Sequence, residues 1–339
     1  MSPTLKPLAE QVIVITGASS GIGLVTARAA AKAGAAVFLL ARSGEVLEEV
    51  TREIVAGGGR ADFAVVDVGI ASEVEMAAAA AVKKFGRIDS WVNDAGAAIY
   101  GPVLDSPLDE QQQLFRTNYF GVVHGCVAAV PHLRGGGAIV TVGSLASDMP
   151  SPPMGVYSAT KHAVKAYIAV LRMELHADGV PIAVALVKPA GADTPIGQHA
   201  SNHGGRGKHG HGEARIPPPA YDPQLVADAI LDCCVHARRE VTVGGVGRAQ
   251  VLFSRHFPGM FEWLVPRGAK AAYSPTKEQP GPSNLFEGAN AGRERSGEHP
   301  GRLRHSIYTS AALHPKTTVL GLGLVAGAIG LLFANKPRR

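Results

Sequence analysis

The sequence predicts a doubly wound α/β fold: a parallel sheet of about seven strands with helices on both faces, plus a C-terminal hydrophobic helix. Three observations carry that prediction. Short runs rich in Val and Ile alternate with longer segments of helical period, each run is apolar at consecutive positions, and the first run feeds a glycine-rich turn that opens a helix. A strand buried on both faces reads as a continuous apolar run, and strands separated by helices pair in parallel through right-handed crossovers.

The strand-like runs are "QVIVIT", "AAVFLLA", "DFAVVDV", "IDSWVN", "GAIVTV", "IAVALV" and "EVTVG". Between them, helical segments are expected over Leu24 to Ala33, Glu45 to Ala56, Ser72 to Lys84, Leu108 to Leu133, Tyr157 to Ala177 and Pro223 to His236. The pattern fills residues 8–247 and stops there, which gives one domain with an appendage. Residues 248–273 mix Arg and Lys with Phe253, Phe257, Met260, Phe261, Trp263 and Leu264. Such a segment suits a cleft cover, a subunit contact or a bilayer surface. Residues 274–315 are rich in Pro, Gly and charge and read as a linker, poorly ordered or loosely laid over the domain.

Composition narrows the function classes. Lys and Arg number 33 against 28 Asp and Glu, and they are scattered, so a nucleic-acid face is not expected. Cys126, Cys233 and Cys234 have neither metal-ligand nor disulfide-framework spacing and suit a reducing compartment. The N-terminal apolar run leads into glycines rather than a cleavage site, so no secretory signal is read there.

The chemistry concentrates at the ends of the strands. "TGASSGIG" puts Gly17, Gly21 and Gly23 between the first strand and the first helix, where free backbone N–H groups stabilise a pyrophosphate. The second strand ends in "LLARS", with Ala41 where an NAD enzyme carries an acid and Arg42 beside it, which favours NADP(H) over NAD(H). Tyr157 and Lys161 lie four apart on one helix face. A nearby ammonium lowers a phenol's pKa and equips it for proton transfer. Ser144, just past a strand, reaches the same crevice and is suited to hydrogen-bond a substrate oxygen.

Together these motifs resemble the short-chain dehydrogenase/reductase family, in its shorter single-domain branch with a Rossmann fold. The resemblance rests on T-G-x-x-x-G-I-G at Thr16 to Gly23, Asp67, N-D-A-G at Asn93 to Gly96, Asn118, Ser144, Y-S-A-T-K at Tyr157 to Lys161 and "VKPAGADTP" at Val187 to Pro195. It implies a catalytic set of Asn118, Ser144, Tyr157 and Lys161. Tyr157 would be the general acid or base, Lys161 would hold the nicotinamide ribose, Ser144 would orient the carbonyl and Asn118 would hold a relay water. It implies cofactor contacts from Gly17, Ser19, Ser20, Gly21, Ile22, Gly23 and Arg42, from Asp67 and Val68 at the adenine, and from Asn93, Ala95 and Gly96 along the crevice. Tyr157, Lys161, Pro189 and Thr194 complete that set at the nicotinamide end. Two positions depart from the family: Asp94 stands where Asn is usual, and Ala190 where Gly is usual.

Two stretches fall outside the motifs. His199, His203, His209 and His211 sit in a Gly- and Pro-rich loop without acid or Cys partners at fixed spacing, so no metal site is expected. Residues 316–339 read as a transmembrane helix and basic tail, with no charge from Thr317 to Asn335. As a helix that stretch spans roughly 28 Å, close to the roughly 30 Å core of a bilayer. Gly323 and Gly327 offer a G-x-x-x-G close-approach face. Basic residues flank it on both sides and tie the charge rule, so the lack of a signal peptide places the catalytic domain on the cytoplasmic side. The expected function is an NADP-dependent, membrane-tethered oxidoreductase acting on a small apolar carbonyl or alcohol, with no nucleic-acid partner and as a homo-oligomer. The alternative is a membrane-tethered NADP-binding scaffold or redox sensor without turnover.

Overall fold

A computed structural model describes residues 3, 5–203, 213–214, 219–269, 273–274, 283–288, 292–299, 301–314 and 318. In chain order it contains β1 (Val12–Thr16), α1 (Gly21–Lys32), β2 (Ala36–Ala41), α2 (Gly44–Ala56), β3 (Arg60–Val65), α3 (Ala71–Phe85) and β4 (Ser90–Asn93). Next come β5 (Ile99–Tyr100), α4 (Leu108–Phe115), α5 (Gly121–Leu133), β6 (Gly137–Val142), α6 (Gly155–Ala177), β7 (Ile182–Pro189), β8 (Ser201–Asn202) and β9 (Glu213–Ala214). The chain continues with α7 (Pro223–Val235), β10 (Glu240–Val243), α8 (Gly245–His256), α9 (Pro258–Ala269), β11 (Tyr273–Ser274) and α10 (Ile307–Leu313).

Seven of these strands form one sheet in the order β10-β7-β6-β4-β1-β2-β3, with every pairing parallel. The continuous apolar runs are explained by two separate cores. Successive strand side chains point to opposite faces, so Ile13 and Ile15 of β1 join Leu39, Leu47 and Ile230 on one side. Val14 joins Leu40, Trp91, Leu133 and Ile139 on the other. The third run departs from this pattern because β3 is the edge strand: Val65 is 58% exposed, and the strand is fully buried only at Ala61.

Local sequence sets the helix ends. Asp222 caps α7 by accepting from the Gln224 N–H at 2.9 Å, with Pro223 at the first helical position. Gly86 ends α3 with φ of 84°, the left-handed conformation that glycine takes without a Cβ penalty. The single helix expected over Leu108 to Leu133 is interrupted: a π-type turn over Arg116–Phe120 separates α4 from α5. Such turns insert one residue into a helical ladder and re-aim the side chains on either side.

The segment read as a loose linker is held against the domain wherever it is described. Arg295 and Arg302 both pair with Asp222, Glu294 pairs with Arg28, and Leu285 is buried. Leu303 bridges to Tyr221, and α10 packs on β10 through a hydrogen bond from the Gly244 N–H to Thr309 Oγ1 at 3.0 Å. Composition alone missed these contacts because the arginines and acids that form them are far apart in sequence. Among the described residues no helix is long and apolar enough to cross a membrane, and the helix expected within 316–339 lies outside the described residues apart from Thr318.

Asp89 fastens the start of β4 to β1. Its carboxylate accepts from the Val12 N–H at 2.8 Å, Lys6 Nζ at 2.6 Å and Arg87 Nε at 2.8 Å. Burial pushes its pKa up, but these donors outweigh burial and leave it below the ordinary 3.8. A depressed carboxylate pKa contributes stability above the unfolded value and loses it as pH falls through the folded one. Asp89→Ala is therefore expected to cost about 2 kcal/mol at neutral pH by urea denaturation. That deficit should shrink below pH of about 4; a deficit independent of pH would contradict the account.

Candidate active site

The strand order reverses between β1 and β4, the point where an open parallel sheet forms its crevice. Two turns meet there. The Thr16 hydroxyl accepts from the backbone N–H of Asp94 at 3.0 Å and of Ala95 at 3.1 Å. Gly17 has φ of 73°, and a Cβ on it would lie 2.8 Å from Ala95 Cα, so only glycine lets the turns approach this closely. A Cβ on Gly23 would lie 2.3 Å from the Gly17 carbonyl oxygen, which makes Gly23 a packing residue beneath the turn.

A cleft of about 360 Å³ opens above this junction. Gly17, Ser19, Ser20, Gly21 and Ile22 line one wall, and Ala95 and Gly96 face them. Arg42, Asp67 and Val68 line one end; Ser144, Tyr157, Lys161, Pro189 and Thr194 line the other. Gly23, Asn93 and Asn118 do not line it. Asn93 instead accepts from Trp91 Nε1 at 2.8 Å and donates to Thr141 Oγ1 at 3.4 Å inside the core, so its predicted place along the crevice is corrected to a strut beneath it.

At the catalytic end, Tyr157 and Lys161 are both buried on α6, one turn apart, with Lys161 Nζ 5.7 Å from the phenol ring centre. Lys161 also donates to the Val142 carbonyl at 2.9 Å, which aims it across the end of β6. Ser144 caps the short 3₁₀ turn Leu145–Ser147, with its hydroxyl accepting from the Ala146 N–H at 3.1 Å. Burial pushes the Tyr157 pKa up to about 12, with a Ser144 hydrogen bond pulling it down and the charge of Asp94 adding to the rise. Burial pushes Lys161 down to about 8, opposed by Asp94. Desolvation is the largest of the influences on Tyr157 and sets the direction of its shift.

Asn118 lies in the π-type turn and is fully buried. Its amide clamps both backbone groups of Ala97, accepting from the N–H at 2.9 Å and donating to the carbonyl at 3.0 Å, and it also donates to Thr160 Oγ1 at 3.2 Å. The side chain therefore braces the loop after β4 against α6. Of the two departures, Ala190 directs its methyl towards Gly244 and Gly247, whose missing side chains make room for it. Asp94 accepts from the Gly23 N–H and opposes Lys161.

Several cleft residues escaped the sequence motifs. Asn284 and Gly288 line the Arg42 end, and Arg42 donates to the carbonyls of Asn284, Leu285 (3.4 Å) and Phe286 (3.1 Å). Tyr100, Leu145, Met149, Met154 and Ile196 add an apolar wall, and Gln250 of α8 and His199 also line the cleft. His203 does have an acid partner, supplied from α4: Nε2 lies 2.8 Å from Glu110 Oε2, with Ser201 Oγ donating to the same oxygen at 2.5 Å. Their separation of 93 residues hid the pair from local pattern reading. His209 and His211 lie outside the described residues.

A glycine turn at the crevice of a parallel sheet, joined to a buried Tyr–Lys pair, defines a dinucleotide-binding oxidoreductase of the α/β class. Residues 11–204 match the family described as short chain dehydrogenase, and the chain belongs to that family. It is 35% identical over 344 residues to the uncharacterized oxidoreductase YxnA of Bacillus subtilis (strain 168), an alignment covering 98% of this chain and 93% of that one. Among solved structures it is similar to an alcohol dehydrogenase of the archaeon Thermococcus sibiricus complexed with 5-hydroxy-NADP. That likeness has a TM-score of 0.60 and 26% identity, covering 69% of this chain and 95% of that one. A short-chain dehydrogenase/reductase of Burkholderia phymatum in complex with NAD shares the fold, with a TM-score of 0.68 at 23% identity over 81% of this chain and 99% of that one.

Although part of Asp94 faces the cleft, loss of water around its carboxyl pushes the pKa from 3.8 up to about 7, against the pull of Lys161 and the Gly23 N–H. A raised carboxyl pKa means that the folded state holds a proton the unfolded chain has released, so stability falls as pH rises from about 4 to about 7. Asp94→Asn removes that dependence. Relative to the unsubstituted protein, the variant is expected to be more stable at pH of about 8 than at about 5, by urea midpoints. An equal offset at both pH values would refute the raised pKa.

Proposed function

We propose that this oxidoreductase reduces an apolar carbonyl with NADPH, Tyr157 giving the proton. The observation that carries the reading is geometric: Tyr157 is buried beside Lys161, and both line, with Ser144, a cleft that Arg42 also lines. Reduction of a carbonyl creates an alkoxide that needs a placed acid, and a phenol suits that role.

The residues present fit a dinucleotide. The serines and glycines of the first turn line the cleft at the start of α1, and Ala41 at the end of β2 is followed directly by Arg42 rather than an acid. Arg42 at the end of β2 favours the 2′-phosphate of NADP(H). When bound, the reduced nicotinamide supplies the hydride. Lys161 and Thr194 line the end of the cleft where the nicotinamide ribose belongs, Ser144 orients the substrate oxygen, and Tyr157 delivers its proton to that oxygen. Asn118 keeps Ala97 and α6 in register. The apolar wall of Leu145, Met149, Met154 and Ile196 favours a hydrophobic substrate.

The uncharged stretch from Thr317 to Asn335 supports tethering to a membrane, with the catalytic domain on the cytoplasmic side. Lipid-soluble carbonyls are the substrates such a location favours. Detergent-free fractionation tests this: the full chain should pellet with membranes and a chain ending before Lys316 should not, whereas a full chain recovered in the supernatant contradicts the anchor.

For the chemistry, Tyr157→Phe should bind NADPH as tightly as the unsubstituted protein, by fluorescence titration. Its turnover of any carbonyl found in an NADPH-oxidation screen should fall by about 10²–10⁴-fold. Full turnover in that variant would overturn the role of Tyr157. An unsubstituted protein that binds NADPH but turns over no carbonyl would favour a scaffold or sensor.

A further inference from the structure

The C-terminal extension meets the cleft at three places. Asn284 and Gly288 line the Arg42 end, and a Cβ on Gly288 would lie 2.8 Å from Ser43 Oγ and 3.2 Å from Arg42 Cβ. The carbonyls of Asn284, Leu285 and Phe286 receive the Arg42 guanidinium. Further along, the Arg293 carbonyl accepts from the Gly21 N–H at 2.9 Å, at the start of α1 where a pyrophosphate is stabilised. These residues therefore border the cleft between Arg42 and Tyr157 and occupy the Arg42 guanidinium and the Gly21 N–H.

The extension is fastened on both sides of that crossing. Arg295 grips Asp222 through Nη2 at 2.8 Å and Nε at 3.1 Å, and Arg302 adds a third contact to the same carboxylate at 2.7 Å. These donors pull the Asp222 pKa down to about 2 against the effect of burial. Ser296 donates through its hydroxyl and its N–H to the fully buried Asp193, next to Thr194 on the cleft wall. Glu294 pairs with Arg28 of α1 at 2.8 Å. On the other side of the crossing, Leu285 is buried in the cluster that contains Tyr157 and Val156, and the Asn284 N–H donates to the His199 carbonyl at 2.9 Å.

We propose that the described stretches 283–288 and 292–299 act as a clasp at the adenosine and pyrophosphate half of the dinucleotide cleft, built into the cofactor site and opening for the dinucleotide to enter or leave. This rests on the dinucleotide reading above. The fastenings at Asp222 and Asp193 hold the clasp, while the contacts at Arg42 and Gly21 are the ones that a 2′-phosphate and a pyrophosphate displace. Cofactor release then requires the fastened chain to lift, so release is slower than from an uncovered crevice.

The test is stopped-flow measurement of NADPH dissociation from the full chain and from Arg295→Ala/Arg302→Ala, which touches neither Arg42 nor the glycine turn. Release from the variant is expected to be about tenfold faster, which corresponds to about 1.4 kcal/mol, with a thermal midpoint lowered by loss of the pairs to Asp222 in a protein that still folds and binds NADPH. Gly288→Val, which pushes the segment off Ser43 and Arg42, should accelerate release independently and guards against a misfolded double variant. Unchanged release rates in both variants would overturn the clasp while leaving cofactor binding intact. A full chain that does not bind NADPH at all would overturn the dinucleotide reading as well.

Discussion

The site depends on the junction of two turns on the Thr16 hydroxyl. One oxygen accepts two consecutive N–H groups, from Asp94 and Ala95, and holds the end of β4 against the end of β1. Because β1 continues to β2 on one side and pairs with β4 on the other, this is where the helices part and a crevice opens. The glycine turn, the start of α1 and the mouth of the cleft are all positioned by it. Gly17 and Gly23 are required for contact, one against Ala95 and the other against Gly17 itself, so the junction tolerates no added side chain at either place.

From that junction the electrostatics of the site follow. Asp94 sits in the second turn, and its carboxylate faces the Gly23 N–H and the Lys161 ammonium. Burial works in opposite directions on the two groups, raising the acid and lowering the base, while their mutual attraction opposes both shifts. Tyr157 is drawn into the same balance: burial and the charge of Asp94 raise its pKa, and the Ser144 hydrogen bond lowers it. The Val142 carbonyl holds Lys161 and the start of a 3₁₀ turn fixes Ser144, so the groups around Tyr157 are positioned by the backbone.

Much of this was legible in the sequence because it depends on neighbours along the chain. The strand runs, the glycine turn, and Tyr157 and Lys161 one helical turn apart are local patterns, and the cleft brings them together. What escaped is non-local or depends on desolvation. Asn93 reads as a crevice residue by its motif but turns into the core towards Trp91 and Thr141. The effect of Lys161 on Tyr157 was read from spacing, and spacing carries no measure of burial. The Pro- and Gly-rich composition after 274 suggests loose chain, yet paired arginines on Asp222 outweigh that tendency. The interruption between α4 and α5 divides two different packings: Leu114 of α4 joins the cluster around Tyr157, whereas Val122, Cys126 and Leu133 of α5 join the sheet core.

The central claim is that a dinucleotide occupies this crevice with its reactive end beside Tyr157. A crystal structure of the protein grown with NADP⁺ tests it most directly. The account predicts the pyrophosphate along Ser19 to Ile22, the 2′-phosphate at Arg42, and the nicotinamide within reach of Tyr157 and Lys161. A dinucleotide bound elsewhere, or a cleft left empty at saturating NADP⁺, would contradict it.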